Sequence, residues 1–294
     1  MPKLIEILPT IQLNANHLVV YSHPIYDETK SEHKNGNNDN LTRGVFKGEM
    51  SIKTRKEIKS KLMNYFNGIQ YMGAKFRNSK KIRSIIITLT LPAPQRHTDN
   101  EIKRECLMRF LELLKAKYKV VFYYWVAEKQ QNGNIHFHIL TDRFVDWKWI
   151  RKAWNTRLET LGYISDFKAK HGHDNPNSTD VEDIRSLSKS AVYVTKYTTK
   201  IDQQGKIQGR LHGECDLLKL CAKVTAKMRD EFQKQLDYLV EYNALEEIST
   251  DYSRVYISAN KTPLQDILKT HAPYLHNYFT DAVKGQVCAM YATN

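Results

Sequence analysis

The chain has 294 residues, 41% of them apolar and 26% charged, which is the composition of a globular protein long enough to bury one large core or two ordinary ones. No apolar run approaches the roughly 20 residues of a membrane span, and the opening Met-Pro-Lys-Leu-Ile-Glu lacks the apolar segment of a signal peptide. A cytoplasmic protein without a membrane partner is expected. Cys106, Cys215, Cys221 and Cys288 form no CxxC pair, so they fit neither a disulfide framework nor a cysteine zinc site, and reduced thiols are expected.

The net charge of +13 is unevenly spread. Residues 43–83 hold twelve Lys or Arg against only Glu49 and Glu57. Beside them stand Tyr65, Phe66, Tyr71 and Phe76. Lysines that neutralise phosphates and aromatic faces that accept unpaired bases suit a nucleic acid, against the plainer reading of a solvated basic face. Lys53, Arg55, Lys56, Lys59, Lys80, Lys81 and Arg83 are the candidate contacts.

In chain order, residues 26–42 are polar and turn-rich and read as a flexible excursion. A basic amphipathic helix is expected over about 54–70, burying Ile58, Leu62, Tyr65 and Phe66. Ile85 to Leu91 is a β-branched, apolar strand that stops at Pro92. Thr98 or Asp99 can cap a helix running to about Tyr118 through Leu107, Phe110, Leu111 and Leu114. Val120–Ala127 and Ile135–Thr141 are two strands around a Gln131-Asn132-Gly133-Asn134 turn. A helix opens at Asp146 or Trp147 and ends at Gly162, and a strand follows within 178–184. The order strand, helix, strand, strand, helix, strand predicts an α+β fold, an antiparallel sheet of split βαβ, ferredoxin-like topology with helices on one side. Residues 214–294 are expected to add a long charged helix around 216–243, a short strand at Val255–Ser258 and a last helix from about Pro263.

His136-Phe137-His138 sits in the third of these strands. Alternation puts both imidazoles on one face while Ile135, Phe137 and Ile139 pack on the other. The triplet is weak evidence alone, since composition predicts about 0.4 HxH triplets by chance. A second triplet, His171-Gly172-His173, falls in a loop and reads as a surface feature. Glu128 on the adjoining strand decides the matter through register. A two-residue Asn132-Gly133 turn would pair residues 128 and 137 and put Glu128 on the other face of the sheet from the histidines, whereas an odd-length loop or a G1 bulge brings it alongside them. Alongside, the three make an O/N/N site suited to Mg²⁺ or Mn²⁺.

Further on, Tyr193-Val-Thr-Lys196-Tyr197-Thr-Thr-Lys200 spaces two tyrosines and two lysines onto one face if helical, although its β-branched residues also allow a strand. A phenol of pKa near 10 is about a thousandth ionised at neutral pH, a penalty of about 4 kcal/mol that a neighbouring ammonium lowers.

Taken in order, ITLTLP at 87–92, Glu128 with NGNIHFH at 132–138, and YVTKYTTK at 193–200 resemble the three motifs of rolling-circle replication initiators of the HUH endonuclease superfamily. The doubled tyrosine is most similar to the initiators of small single-stranded DNA phages and related plasmids. The resemblance covers about residues 79–213, including WKWIRKAWN at 147–155 and GRLHGE at 209–214, where His212 replaces the tryptophan of a GRxWG signature. It divides the chain into a basic region 1–78, a nicking domain 79–213 and an accessory region 214–294. It implies that His136, His138 and Glu128 bind a divalent ion, that Tyr193 and Tyr197 are nucleophiles, and that Lys196 and Lys200 assist them. It also implies single-stranded or origin DNA as substrate, recruited host helicase and polymerase, and a bacterial cytoplasm as the setting. A relaxase or transposase with the same site chemistry, and a non-catalytic DNA-binding repressor, are the rival readings.

Overall fold

The computed structural model describes residues 4–14, 17–26, 50–72, 74–184, 207–221 and 224–292. They belong to a mixed α and β chain with two antiparallel five-stranded sheets. The chain divides into two compact units, one of Met1–Val45 with Ala222–Gln286 and one of Phe46–Cys221 with Val287–Asn294. This grouping by contact differs from the division by sequence pattern at 78/79 and 213/214.

In the first unit, β1 (Leu4–Leu13) and β2 (His17–Tyr26) form a hairpin. With three later strands they make the order β8-β1-β2-β10-β9, where β8 is Val224–Lys227, β9 Leu245–Ser249 and β10 Ser253–Ser258. The expected long helix over 216–243 is instead a short 3₁₀ turn (Asp216–Cys221), strand β8 and a helix confined to Asp230–Glu241. Val224 and Ala226 are buried while Thr225 and Lys227 are exposed, a period of two that a helix cannot supply. The expected last helix is two, Leu264–His271 and Pro273–Ala292, because Pro273 has no N–H to continue the first. The accessory region thus completes a sheet begun by the N-terminal strands. Pairing over such sequence distances leaves no local signature.

The second unit carries the motifs. Its sheet runs β6-β3-β5-β4-β7, where β3 is Ile85–Leu89, β4 Tyr123–Lys129, β5 Ile135–Thr141, β6 Thr179–Asp183 and β7 His212–Glu214. Strand β4 begins three residues later than its sequence suggests, because the amides of Val121 and Phe122 donate to the buried Asp142 carboxylate rather than to a neighbouring strand. One helical run joins β3 to β4: α3 (Asp99–Ile102), a π-helical turn (Lys103–Met108) and α4 (Arg109–Tyr118). It starts at a capping box of Thr98 and Glu101, a device worth about 1 kcal/mol. Between β5 and β6 lie α5 (Trp147–Glu159), capped by Asp146, and α6 (Tyr163–His171), a helix the sequence reading missed.

The two faces of this sheet are used differently. On one face Ile85, Ile87, Leu89, Trp125, Phe137 and Ile139 pack against Phe110, Leu114, Ile150, Trp154 and Leu158 of the crossover helices. On the other, Ile86, Tyr124, Val126 and Leu140 are covered by α1 (Ile52–Tyr71) through Ile58, Leu62, Tyr65 and Phe66, the stripe its periodicity predicts. Tyr65 stacks on Phe122 with centroids 3.8 Å apart and bonds Tyr291 through its hydroxyl at 2.7 Å, and Tyr291 donates to Asp142 at 3.0 Å. No helix among the described residues is long and apolar enough to cross a membrane.

At the sheet edge Gly213 lies beneath the Trp125 indole, which is 4% exposed and has nowhere to move. A Cβ at Gly213 would overlap the ring. Gly213→Ala should therefore destabilise the chain by about 1–3 kcal/mol, as overpacking does, read as a lower urea midpoint; an unchanged midpoint would show that Trp125 can yield.

Candidate metal centre

The β4–β5 connection determines what the site contains. Gly133 N–H donates to Gln130 O at 2.8 Å, closing a four-residue turn, and Gln130 N–H then pairs with Asn134 O at 2.8 Å. Gly133 has φ +82°, the left-handed conformation that favours glycine. This is a five-residue connection of turn plus G1 bulge, not a two-residue hairpin. Its register pairs Glu128 with His136 and Val126 with His138. Residues directly opposite in an antiparallel pair share a face, so Glu128, His136 and His138 stand together.

Their donor atoms form a small triangle. His136 Nε2 lies 3.2 Å from Glu128 Oε2, His138 Nε2 3.5 Å from the same oxygen, and the two Nε2 atoms are 3.1 Å apart. Donors about 2.1 Å from a shared ion are separated by roughly 3.0 Å when cis in an octahedron and roughly 3.4 Å in a tetrahedron. The observed edges, 3.1–3.5 Å, lie within about 0.1 Å of that interval. Among the described residues this trio is the group of His, Cys, Asp and Glu with the convergence a metal ion requires. The second triplet makes no such group. His171 ends α6 rather than lying in a loop, and both it and His173 pack against the Phe167 ring.

Sequence reasoning missed the residue that orients His138. Thr88, on β3 and paired with His138 across the sheet, places Oγ1 3.0 Å from His138 Nδ1. If Nδ1 carries the proton, Thr88 accepts it and the Nε2 lone pair faces Glu128 and His136. The clue was in the strand: Thr88 is the polar residue facing away from Ile87 and Leu89 in ITLTLP. Trp154, fully buried, donates Nε1–H to Thr90 O at 2.8 Å and fixes α5 to the chain just beyond.

A second polar cluster, also unanticipated, braces the hairpin tip. Asp99, 3% exposed, accepts from Lys129 Nζ at 2.7 Å, Gln95 Nε2 at 2.7 Å and Gln208 N–H at 3.0 Å. Gln95 Oε1 accepts Ile135 N–H at 2.7 Å, and Asn134 bonds both sides of the 93–95 backbone. Lys103 bonds the carbonyls of Gln208 and Arg210, so residues 207–211 are held against the hairpin. Burial disfavours the Asp99 carboxylate, but the bonds from Lys129 and Gln95 outweigh it and keep its pKa below the ordinary value. For Lys103 burial wins over the pull of Asp99 and lowers its pKa to about 8.

The expected nucleophile segment, Tyr193, Lys196, Tyr197 and Lys200, lies outside the described residues. Of the expected nucleic-acid contacts, Lys53, Lys56 and Lys81 are exposed and Arg55 and Lys59 half-buried. Two are engaged within the fold: Lys80 donates to Tyr291 O at 3.2 Å, and Arg83 pairs with Asp183 at 2.6 Å. Cys106 and Cys215 are buried, and burial raises the Cys106 thiol to about 12, so it stays protonated and unreactive.

Residues 84–202 match the family model described as Replication-associated protein ORF2/G2P. The match covers 119 of the 294 residues. It opens one residue before β3, takes in Thr88, Glu128, His136 and His138, and ends beyond Tyr197. No curated relative matches the chain. Among solved structures, the hypothetical protein ORF119 from Sulfolobus islandicus rod-shaped virus 1 is similar at TM-score 0.27 and 16% identity, over 50% of this chain and 98% of that one. A likeness of that size carries no argument.

The brace yields a test with a defined sign. The folded pKa of Lys103 lies below its ordinary 10.5, so between about pH 8 and 10.5 the unfolded chain holds a proton that the folded chain does not, and stability rises with pH there. Lys103→Met removes that rise. The wild-type urea midpoint minus that of the variant should increase from about pH 7.5 to about pH 10; a difference that stays flat would contradict the buried ammonium.

Proposed function

We propose that the chain is a rolling-circle DNA replication initiator, a metal-dependent endonuclease that nicks single-stranded origin DNA and transfers the strand through a 5′-phosphotyrosine. The observation that carries this reading is the convergence of Glu128 Oε2, His136 Nε2 and His138 Nε2 within 3.1–3.5 Å of one another. It lies inside the segment that matches a replication-associated family. The sheet adds support. The order β6-β3-β5-β4, with a helical crossover from β3 to β4 and another from β5 to β6, is the arrangement a split βαβ, HUH-type domain requires.

The donor set of two imidazoles and one carboxylate fits Mg²⁺ or Mn²⁺ with positions left for phosphate oxygens. A bound ion there supplies Lewis-acid polarisation of the scissile phosphate and offsets the charge developing on it. The chain's own residues do the rest. Tyr193 or Tyr197 gives its proton to a base or solvent, and its oxygen attacks phosphorus. The bond from phosphorus to the 3′ oxygen breaks, that oxygen leaves as a hydroxyl after taking a proton, and the 5′ phosphate remains on the tyrosine. Lys196 and Lys200 lower the cost of the phenolate. The covalent link retains the phosphodiester's energy, so rejoining to a new 3′ hydroxyl needs no nucleotide. The second tyrosine receives the strand in the next round. The freed 3′ hydroxyl primes a host polymerase, with a host helicase opening the duplex.

Single-stranded fragments tiling the replicon that encodes the protein, incubated with the full chain and Mn²⁺, should give a protein–DNA adduct on denaturing electrophoresis. His136→Ala should remove it, and so should the double Tyr193→Phe, Tyr197→Phe replacement. Either single Phe replacement should nick but lose repeated transfer. No adduct on any fragment would reject the nickase, and wild-type multi-round transfer by one single variant would leave the other tyrosine as sole nucleophile.

A further inference from the structure

We propose that the cleft between α5 and α6 is a second binding surface for single-stranded nucleic acid, separate from the Glu128–His136–His138 group. Trp147 stacks on an unpaired base there, and Lys148, Arg151 and Lys152 hold the flanking phosphates.

The helix α5 is amphipathic in an unusual way. Its inner face, Ile150, Trp154 and Leu158, is fully buried and completes the core. Its outer face carries Trp147, Lys148, Arg151 and Lys152, spaced so that all four share one stripe. Trp147 is 49% exposed and adds nothing to the core that Trp149 and Trp154 do not already supply. The open half of the ring faces solvent beside the two cations that lie over it.

Around it the charge balance is positive. Arg151 lies 4.9 Å and Lys148 5.7 Å from the Trp147 ring centroid. Arg151 donates to the neutral amide of Asn177 at 2.5 Å and makes no ion pair among the described residues. The cleft is lined by Lys148, Arg151, Lys152 and Lys168 against two acids, Glu159 and Asp174, and both acids have partners on its far wall. Glu159 accepts from the backbone and hydroxyl of Ser165, and Asp174 lies 3.8 Å from Lys168. The far wall is formed by Ile164, Ser165 and Lys168 of α6 and by Asp174 and Asn175, and the cleft, open to solvent, has a volume of about 960 Å³.

An aromatic platform beside cations is the arrangement that binds unpaired bases with little sequence preference. In a duplex the base faces are already stacked on one another, so the cleft selects single strands. An acidic peptide would satisfy the cations but leave Trp147 in water.

The test uses the full chain in EDTA, so its outcome does not depend on the nicking reaction. Binding of fluorescent (dT)20 is followed by anisotropy over a range of salt concentrations. Trp147→Ala should weaken it about tenfold, the loss expected for one stacked base, with Trp147→Phe between. Lys148→Gln with Lys152→Gln should flatten the log–log salt dependence by roughly 1.4, about 0.7 per charge. Wild-type affinity in both variants, or polyglutamate competing as well as unlabelled (dT)20, would overturn the proposal. Failure here leaves the metal-centre reading standing, and failure of nicking leaves this cleft in place.

Discussion

The convergence of Glu128, His136 and His138 depends on the register of one hairpin. Side chains alternate along a strand with a period of two, so a slip of a single residue between β4 and β5 would move Glu128 to the opposite face. Gly133 supplies the positive φ that the bulge requires, and the Gln95–Asn134–Asp99–Lys129 cluster ties the turn to the loop after β3. The brace is buried, and breaking one partner of a buried ion pair costs on the order of 3–5 kcal/mol. Exposed pairs such as Arg109–Glu112 contribute little by comparison. Register is thus held at a polar site some residues from the three donors it aligns.

The sheet separates stability from function by face. The crossover helices cover one side, with Trp154 in edge-to-face contact with both Phe110 and Phe137. The other side is shared between the apolar footprint of α1 and the polar row of Thr88, His138, Glu128 and His136. Because Ile87 and Phe137 alternate with Thr88 and His138, the residues that hold the strands in the core are the ones that aim the polar side chains out of it. Segment 207–215 closes the arrangement: its first part is fastened to Asp99 and Lys103, and its last forms β7 beside β4.

Much of this was legible in the sequence where the signal is local. Strand β5 falls at the expected residues, α1 buries the four residues its periodicity singles out, and Thr98 caps the helix it was expected to cap. What failed was what depends on distant pairing. Strand β8 joins β1 across some two hundred residues, and nothing in Val224–Lys227 distinguishes it from an extension of the charged helix that follows except its alternation; the β1–β2 hairpin, although local, was not anticipated either. The HxH triplets show the limit of motif reading. His136-Phe137-His138 and His171-Gly172-His173 are alike on paper, but only a strand anchored by Phe137 turns both rings toward a carboxylate. The choice between the two Glu128 registers rested on the turn conformation at Gly133, which the string NGN permits but does not dictate.

The most direct test of the account is pulsed electron paramagnetic resonance of Mn²⁺ bound to the full chain. The account predicts nitrogen couplings from two imidazoles, reduced to one in His136→Ala. Couplings from solvent water alone, unchanged by that substitution, would contradict a metal centre at Glu128, His136 and His138.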